Sequence, residues 1–184
     1  MALINYVSAA AAVGPTVSFQ TYTNVYNYDT LVWRGTPILE SVLEAKWLLI
    51  EKQRIMRIIS ASMLTELTGG FTSDALEDGV FRRHTSDTQA QLSMMGAHQI
   101  TMPHDLIETP ETFVLPSYDI TTGQIRFDAY THDQLHKLLI DFGTFSSGLV
   151  SKLQAKIAFI QSINSGDAHA DLDVVYAVTW NSVE

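Results

Sequence analysis

Cysteine is absent from all 184 residues, which excludes a disulfide framework, a thiolate metal site and a cysteine nucleophile. Lysine and arginine number only 11 against 20 aspartates and glutamates, a net charge of -9. The cations are dispersed apart from Arg82-Arg83, so no basic surface can neutralise phosphates, and nucleic acid is not an expected partner. No apolar run reaches the roughly 18 residues that cross a bilayer, and the opening residues lack the basic region of a secretory signal. No membrane partner is expected, and the reading is a soluble chain made in the cytoplasm. Charged residues make up 17%, below the roughly 25% usual for a soluble domain. Glycine-rich phosphate cradles, GxGxxG or GxxxxGK, do not occur.

What is present is enough apolar matter to fold: 46% hydrophobic residues and a mean hydropathy of +0.08 fit one ordinary domain or a core with a small appendage. A surface short on charge and rich in apolar and neutral polar groups suits burial in an assembly. Two helix-length segments dominate, residues 37–68 and 132–164, each roughly 45 to 50 Å long at about 1.5 Å per residue. Thr36-Pro37 reads as the first start, with threonine capping and proline at the first turn. Gly69-Gly70 reads as its stop. Thr131 and Gln134 form a capping box for the second, whose apolar residues Leu138, Phe142, Phe145, Leu149, Leu153 and Ile157 recur near a coiled-coil rhythm. Gly143 and Gly148 inside it predict a kink or a close helix approach.

Around these helices the reading is α+β. Residues 16–33 hold two short strands broken near Asn27 to Asp29. Asp78-Gly79 marks a hairpin or tight loop, and Thr85, Ser86 and Asp87 offer caps for a short middle helix ending near Gly96 or His98. Pro103 and Pro110 punctuate a loop. Thr121-Thr122-Gly123 turns a second hairpin, and residues 173–180 alternate as a terminal strand. The expected organisation is a strand-rich docking region over 1–36, a helical domain over 37–165, and a linker with a strand over 166–184. Tyr26, Trp33 and Trp180 would lie at the docking end.

Chemistry is thinly signalled. His132 and His136 in HDQLH share the four-residue spacing of zinc-binding helices, but Asp133 stands where the general-base glutamate belongs and no third ligand follows at a recognisable spacing. Asp167, His169, Asp171 and Asp173 cluster without the pattern of a calcium loop and read as an acidic linker. Glu108 and Glu111 flank Pro110 as an exposed acidic pair. No serine sits in a nucleophile elbow, and the aromatics Tyr22, Tyr26, Tyr28 and Trp33 read as sheet packing. No catalytic residue, cofactor or metal is expected.

An ordered series of motifs resembles a domain family of unknown function found in tailed-bacteriophage tail-fibre and tail-fibre-assembly proteins. The series runs through residues 51–164: the basic stretch Lys52, Arg54 and Arg57, the stop Gly70-Phe71, the turn Asp78-Gly79-Val80-Phe81, and residues 85–92 followed by Gly96-Ala97. It continues with a hairpin at 124–127, the capped start at 131–135, and Lys152, Lys156 and Ile160 late in the helix. The resemblance implies a virion tail location and carries no catalytic residues. The expected function is thus a non-enzymatic structural component at the baseplate or tail-fibre attachment region, self-associating and packing on other tail, baseplate or fibre proteins. The alternative is a tail-fibre assembly chaperone or fibre-tip cap.

Overall fold

The computed structural model describes residues 2–14, 19–102 and 111–182, and the fold is α+β. In chain order the elements are α1 (Tyr6–Val13), β1 (Phe19–Thr21), a 3-10 turn (Tyr28–Thr30), β2 (Val32–Trp33), α2 (Glu40–Thr68), β3 (Phe71–Ser73) and β4 (Arg82–His84). There follow α3 (Thr88–Ile100), β5 (Thr112–Asp119), β6 (Ile125–Thr131), α4 (His132–Ser162) and α5 (Ala168–Ala177). The chain divides into two compact units, Met1–Ala61 with Leu153–Glu184, and Ser62–Lys152. The two divisions lie inside α2 and α4.

Both long helices form, with 29 and 31 residues. The first begins at Glu40, not at Thr36-Pro37. The reason is local: the Tyr28 hydroxyl donates to the Ile38 carbonyl at 2.5 Å, taking the acceptor that a helix would need there, and the first helical bonds converge on Leu39. At the other end Gly70 adopts φ +102°. A Cβ on Gly70 would overlap the His84 carbonyl oxygen, so this stop is both conformational and steric. The capping box is present, with the Thr131 N–H donating to the Gln134 side chain at 2.9 Å and the Gln134 N–H to the Thr131 hydroxyl at 3.4 Å.

The close helix approach expected at Gly143 and Gly148 does not occur, since a Cβ at either would meet nothing within 4 Å. Both lie in an exposed stretch of an uninterrupted helix. Gly143→Ala and Gly148→Ala are therefore expected each to raise stability by about 0.5 to 1 kcal/mol. An upward shift of the urea midpoint would show it, and a lower midpoint would count against an open Cβ position.

In the first unit the small-residue opening of the chain is core. Asn5 caps α1 by accepting from the Ser8 N–H at 2.9 Å, and Ile4, Tyr6, Ala9 and Ala10 are buried with Leu43 of α2 and Leu172 of α5. The Tyr6 hydroxyl donates to Glu40 at 2.9 Å; burial, and then the two glutamates, push its pKa up. The terminal strand expected over 173–180 does not form: residues through Ala177 belong to α5 and the chain leaves the helix at Val178. Asp167 caps α5, accepting from the His169 and Ala170 N–H groups at 2.9 and 3.2 Å, and Leu172 and Val175 lie three apart on its buried side. The acidic segment is thus a helix start: the buried Asp171 carboxylate accepts from the Ser165 N–H at 2.9 Å. The basic stretch of α2 is also structural, with Lys52 donating to the Ile163 carbonyl and closing the end of α4.

The second unit holds a four-stranded antiparallel sheet in the order β3-β4-β5-β6. The first expected hairpin exists, but its strands are β3 and β4, joined by a long loop that contains Asp78-Gly79, with Phe71 opposite His84. Asp87 caps α3 by accepting from the Ala90 N–H at 2.9 Å. The second hairpin is longer than expected, pairing Thr112 with Thr131 through to Tyr118 with Ile125. The loop punctuated by Pro103 and Pro110, and Glu108 with it, lies outside the described residues. Ser86 donates to the Leu67 carbonyl and Arg83 to that of Gly69, so the hairpin and the end of α2 fix one another.

Candidate functional site

Side chains alternate across β5 and β6, and the two faces carry opposite characters. Leu115, Ser117 and Tyr130 point inward and are buried. Val114, Ile125 and Phe127 lie on the other face, 54%, 59% and 75% exposed. The inward face buries Leu115 and Tyr130 in the core together with a few polar groups, and three large apolar side chains are left on the face turned away from that core, where a half-buried strand pair usually carries polar ones.

Two serines on the inward side pair with carboxylates, while the buried Tyr130 hydroxyl has no hydrogen-bond partner among the described residues. Ser73 donates to Asp141 at 2.5 Å and Ser117 to Asp128 at 2.5 Å. His84, buried, packs its ring 5.5 Å from that of Phe71 and 6.0 Å from that of Tyr130. Burial lowers its pKa to about 4 even though the carboxylates of Asp128 and Asp141 and a hydrogen bond to the Pro116 carbonyl pull the other way. The imidazole is neutral at pH 7. Each serine hydroxyl donates to a carboxylate, so neither is poised for deprotonation by the histidine, and the constellation is a buried polar layer, not a nucleophilic triad. Nothing in the linear spacing of Ser73, His84, Ser117, Asp128 and Asp141 signals their meeting.

Beside this layer a groove of about 450 Å³ runs between α3 and the edge of β5. Ala90, Met94, Ala97 and Ile100 form one wall, residues 113–116 the other, and His84 and Asp87 close one end. It is lined mostly by apolar groups and holds no lysine or arginine.

His132 and His136 do acquire a third histidine, one the sequence spacing could not supply. His98, near the end of α3, stacks at 4.5 Å from the first ring and 5.5 Å from the second, with interplanar angles of 25° and 27°. Stacked faces do not aim three nitrogens at one point, and no group of histidines and carboxylates among the described residues is arranged to hold a metal. Desolvation, then repulsion from the other two rings, lowers the pKa of His98. Its Nε2 is buried without a hydrogen-bond partner among the described residues.

The chain matches no known protein family, no curated protein and no solved structure. The residues expected to drive assembly are distributed as follows. Leu138 is fully buried in the core of the second unit, with Phe142 and Phe145 packed against that core. Leu149 is buried, while Leu153 and Ile157 are half-buried. In the first unit Trp180 is buried, Trp33 is half-buried with its ring 6.2 Å from that of Tyr28, and Tyr26 is exposed. No helix among the described residues is long and apolar enough to cross a membrane.

Proposed function

We propose that the protein is a non-enzymatic structural component of a tailed-phage virion, placed at the baseplate or tail-fibre attachment region and acting by packing on neighbouring subunits. The packing reading is supported above all by the outward face of β5 and β6. Val114, Ile125 and Phe127 sit there exposed, opposite the face that buries Leu115, Ser117 and Tyr130. Covering such side chains is worth about 1.5 to 3 kcal/mol each before the costs of association. The tail location is supported by the ordered motif series through residues 51–164.

Mass spectrometry of purified virions tests the location: stoichiometric copies are expected, and absence from the particle would instead favour the departing chaperone. Phe127→Asp tests the surface. Because Phe127 is 75% exposed, folding stability should change by no more than about 0.5 kcal/mol, while incorporation into particles should be lost. Normal incorporation of this variant would remove the outward face from the assembly mechanism.

A further inference from the structure

The edge of β5 that faces the groove is open, and its hydrogen-bonding parity can be worked out. Asp119 N–H donates to the Gln124 carbonyl at 3.0 Å and its own carbonyl accepts from Gly123, so odd-numbered residues of β5 exchange bonds with β6. Even-numbered residues then direct N–H and C=O the other way. Pro116 agrees, since a residue with no N–H belongs where the ladder does not need one. Its carbonyl accepts from His84. On that side β4 pairs only with Tyr118 and Asp119. Val114 thus presents a backbone donor and acceptor into the groove, and no hydrogen bond to either is made among the described residues.

We propose that the groove takes an extended peptide segment of a partner protein, added antiparallel or parallel as a further strand beside β5 and under α3. Main-chain bonds to Val114 would hold it, as in other strand additions to open sheet edges. Alternate side chains would enter the apolar space kept open by Ala90, Gly96 and Ala97, where a Cβ on Gly96 meets nothing within 4 Å. Charge narrows the class: among the described residues the lining has one carboxylate, Asp87, which caps α3, and no lysine or arginine, so the segment is apolar and carries a basic, not an acidic, residue at that end. This inference concerns the strand edge and does not depend on the tail reading.

The test uses the full chain and a synthetic capped peptide, Lys-Val-Thr-Val-Thr-Val-Lys, against the same peptide N-methylated at its valines. Amide spectra should shift along α3 and residues 113–115, and the Val114 amide should gain protection from exchange. N-methylation should weaken binding about tenfold or more. Val114→Pro should do the same while keeping the fold, because that N–H is not used in the ladder to β6. Gly96→Leu, which fills the groove from a helical position, is the second variant and should also abolish binding. Equal affinity for the methylated peptide, unchanged binding by both variants, or no shift at millimolar peptide would overturn the proposal. So would a concentration-dependent dimer in light scattering that Val114→Pro dissolves, since a second copy would then be the occupant.

Discussion

Leu138→Ala is expected to lower the unfolding free energy by about 2 to 5 kcal/mol, the range for removing a fully buried leucine where the surroundings relax only in part. Leu138 has no solvent exposure and lies in one cluster with Phe71, Met94, Leu115, Tyr130 and Leu135. Phe71 is further enclosed by Phe142 at 5.4 Å and Phe145 at 6.1 Å, so the cavity is walled by rings that cannot collapse into it without leaving their own contacts. The control is Ile140→Ala on the same helix, where the side chain is 55% exposed and the cost should stay within about 1 kcal/mol. Urea unfolding of both variants at several protein concentrations checks the pair. A loss at Leu138 that appears only as weakened self-association, with the monomer unaffected, would mean that this stripe serves an interface and not the core.

Acidification from pH 7 to pH 5 is expected to cost about 2 kcal/mol through His84 alone. The native pKa is lowered from 6.5 to about 4, so between those values the unfolded chain binds a proton that the folded chain does not. Stability therefore falls as the pH falls through that window and levels off, for this group, below the native value. His98, whose pKa is also lowered, adds in the same direction. Asp74 and Asp119, held low by hydrogen bonds from Lys137 and from backbone N–H groups respectively, lose their contributions only at more acid pH. Two measurements isolate His84. The ring proton titration by NMR should have its midpoint near pH 4, and His84→Asn should flatten the dependence of stability on pH by close to one proton. A midpoint at or above pH 6 would show that the ring is solvated.

Much of the local structure was legible because it depends on neighbours along the chain. The capping box of Thr131 and Gln134, the stop at Gly69-Gly70, the cap at Asp87 and the turn through Thr122-Gly123 each involve residues a few positions apart. The errors share a different cause. The start of α2 is set by a hydroxyl ten residues upstream, on Tyr28. The stretch 173–180 alternates well enough for a strand, yet its residues through Ala177 lie in the helix that Asp167 caps, with Leu172 and Val175 buried on one side. The opening residues carry little amphipathic signal because alanine is compatible with almost any setting. They become core when Leu43 and Leu172 cover them.

The candidate site was less legible than the helices. The pattern of β6, with Ile125, Phe127 and Ala129 alternating with Arg126, Asp128 and Tyr130, already separates two faces. It does not say which face turns inward. Likewise His132 and His136 are paired by helix geometry, whereas His98 joins them only through the packing of α3.

By itself the amino-acid sequence determined the two long helices, the hairpins, the caps and the absence of cysteine chemistry, since these follow from backbone preference and short-range hydrogen bonding. Only the tertiary structure decided that the seam of α4 lies partly in a core, that Phe127 faces outward, that His84 is buried neutral among carboxylates, and that β5 keeps an open edge beside α3. Those outcomes depend on which distant residues compete to cover the same apolar surface and to satisfy the same buried polar groups, a competition that sequence spacing does not encode.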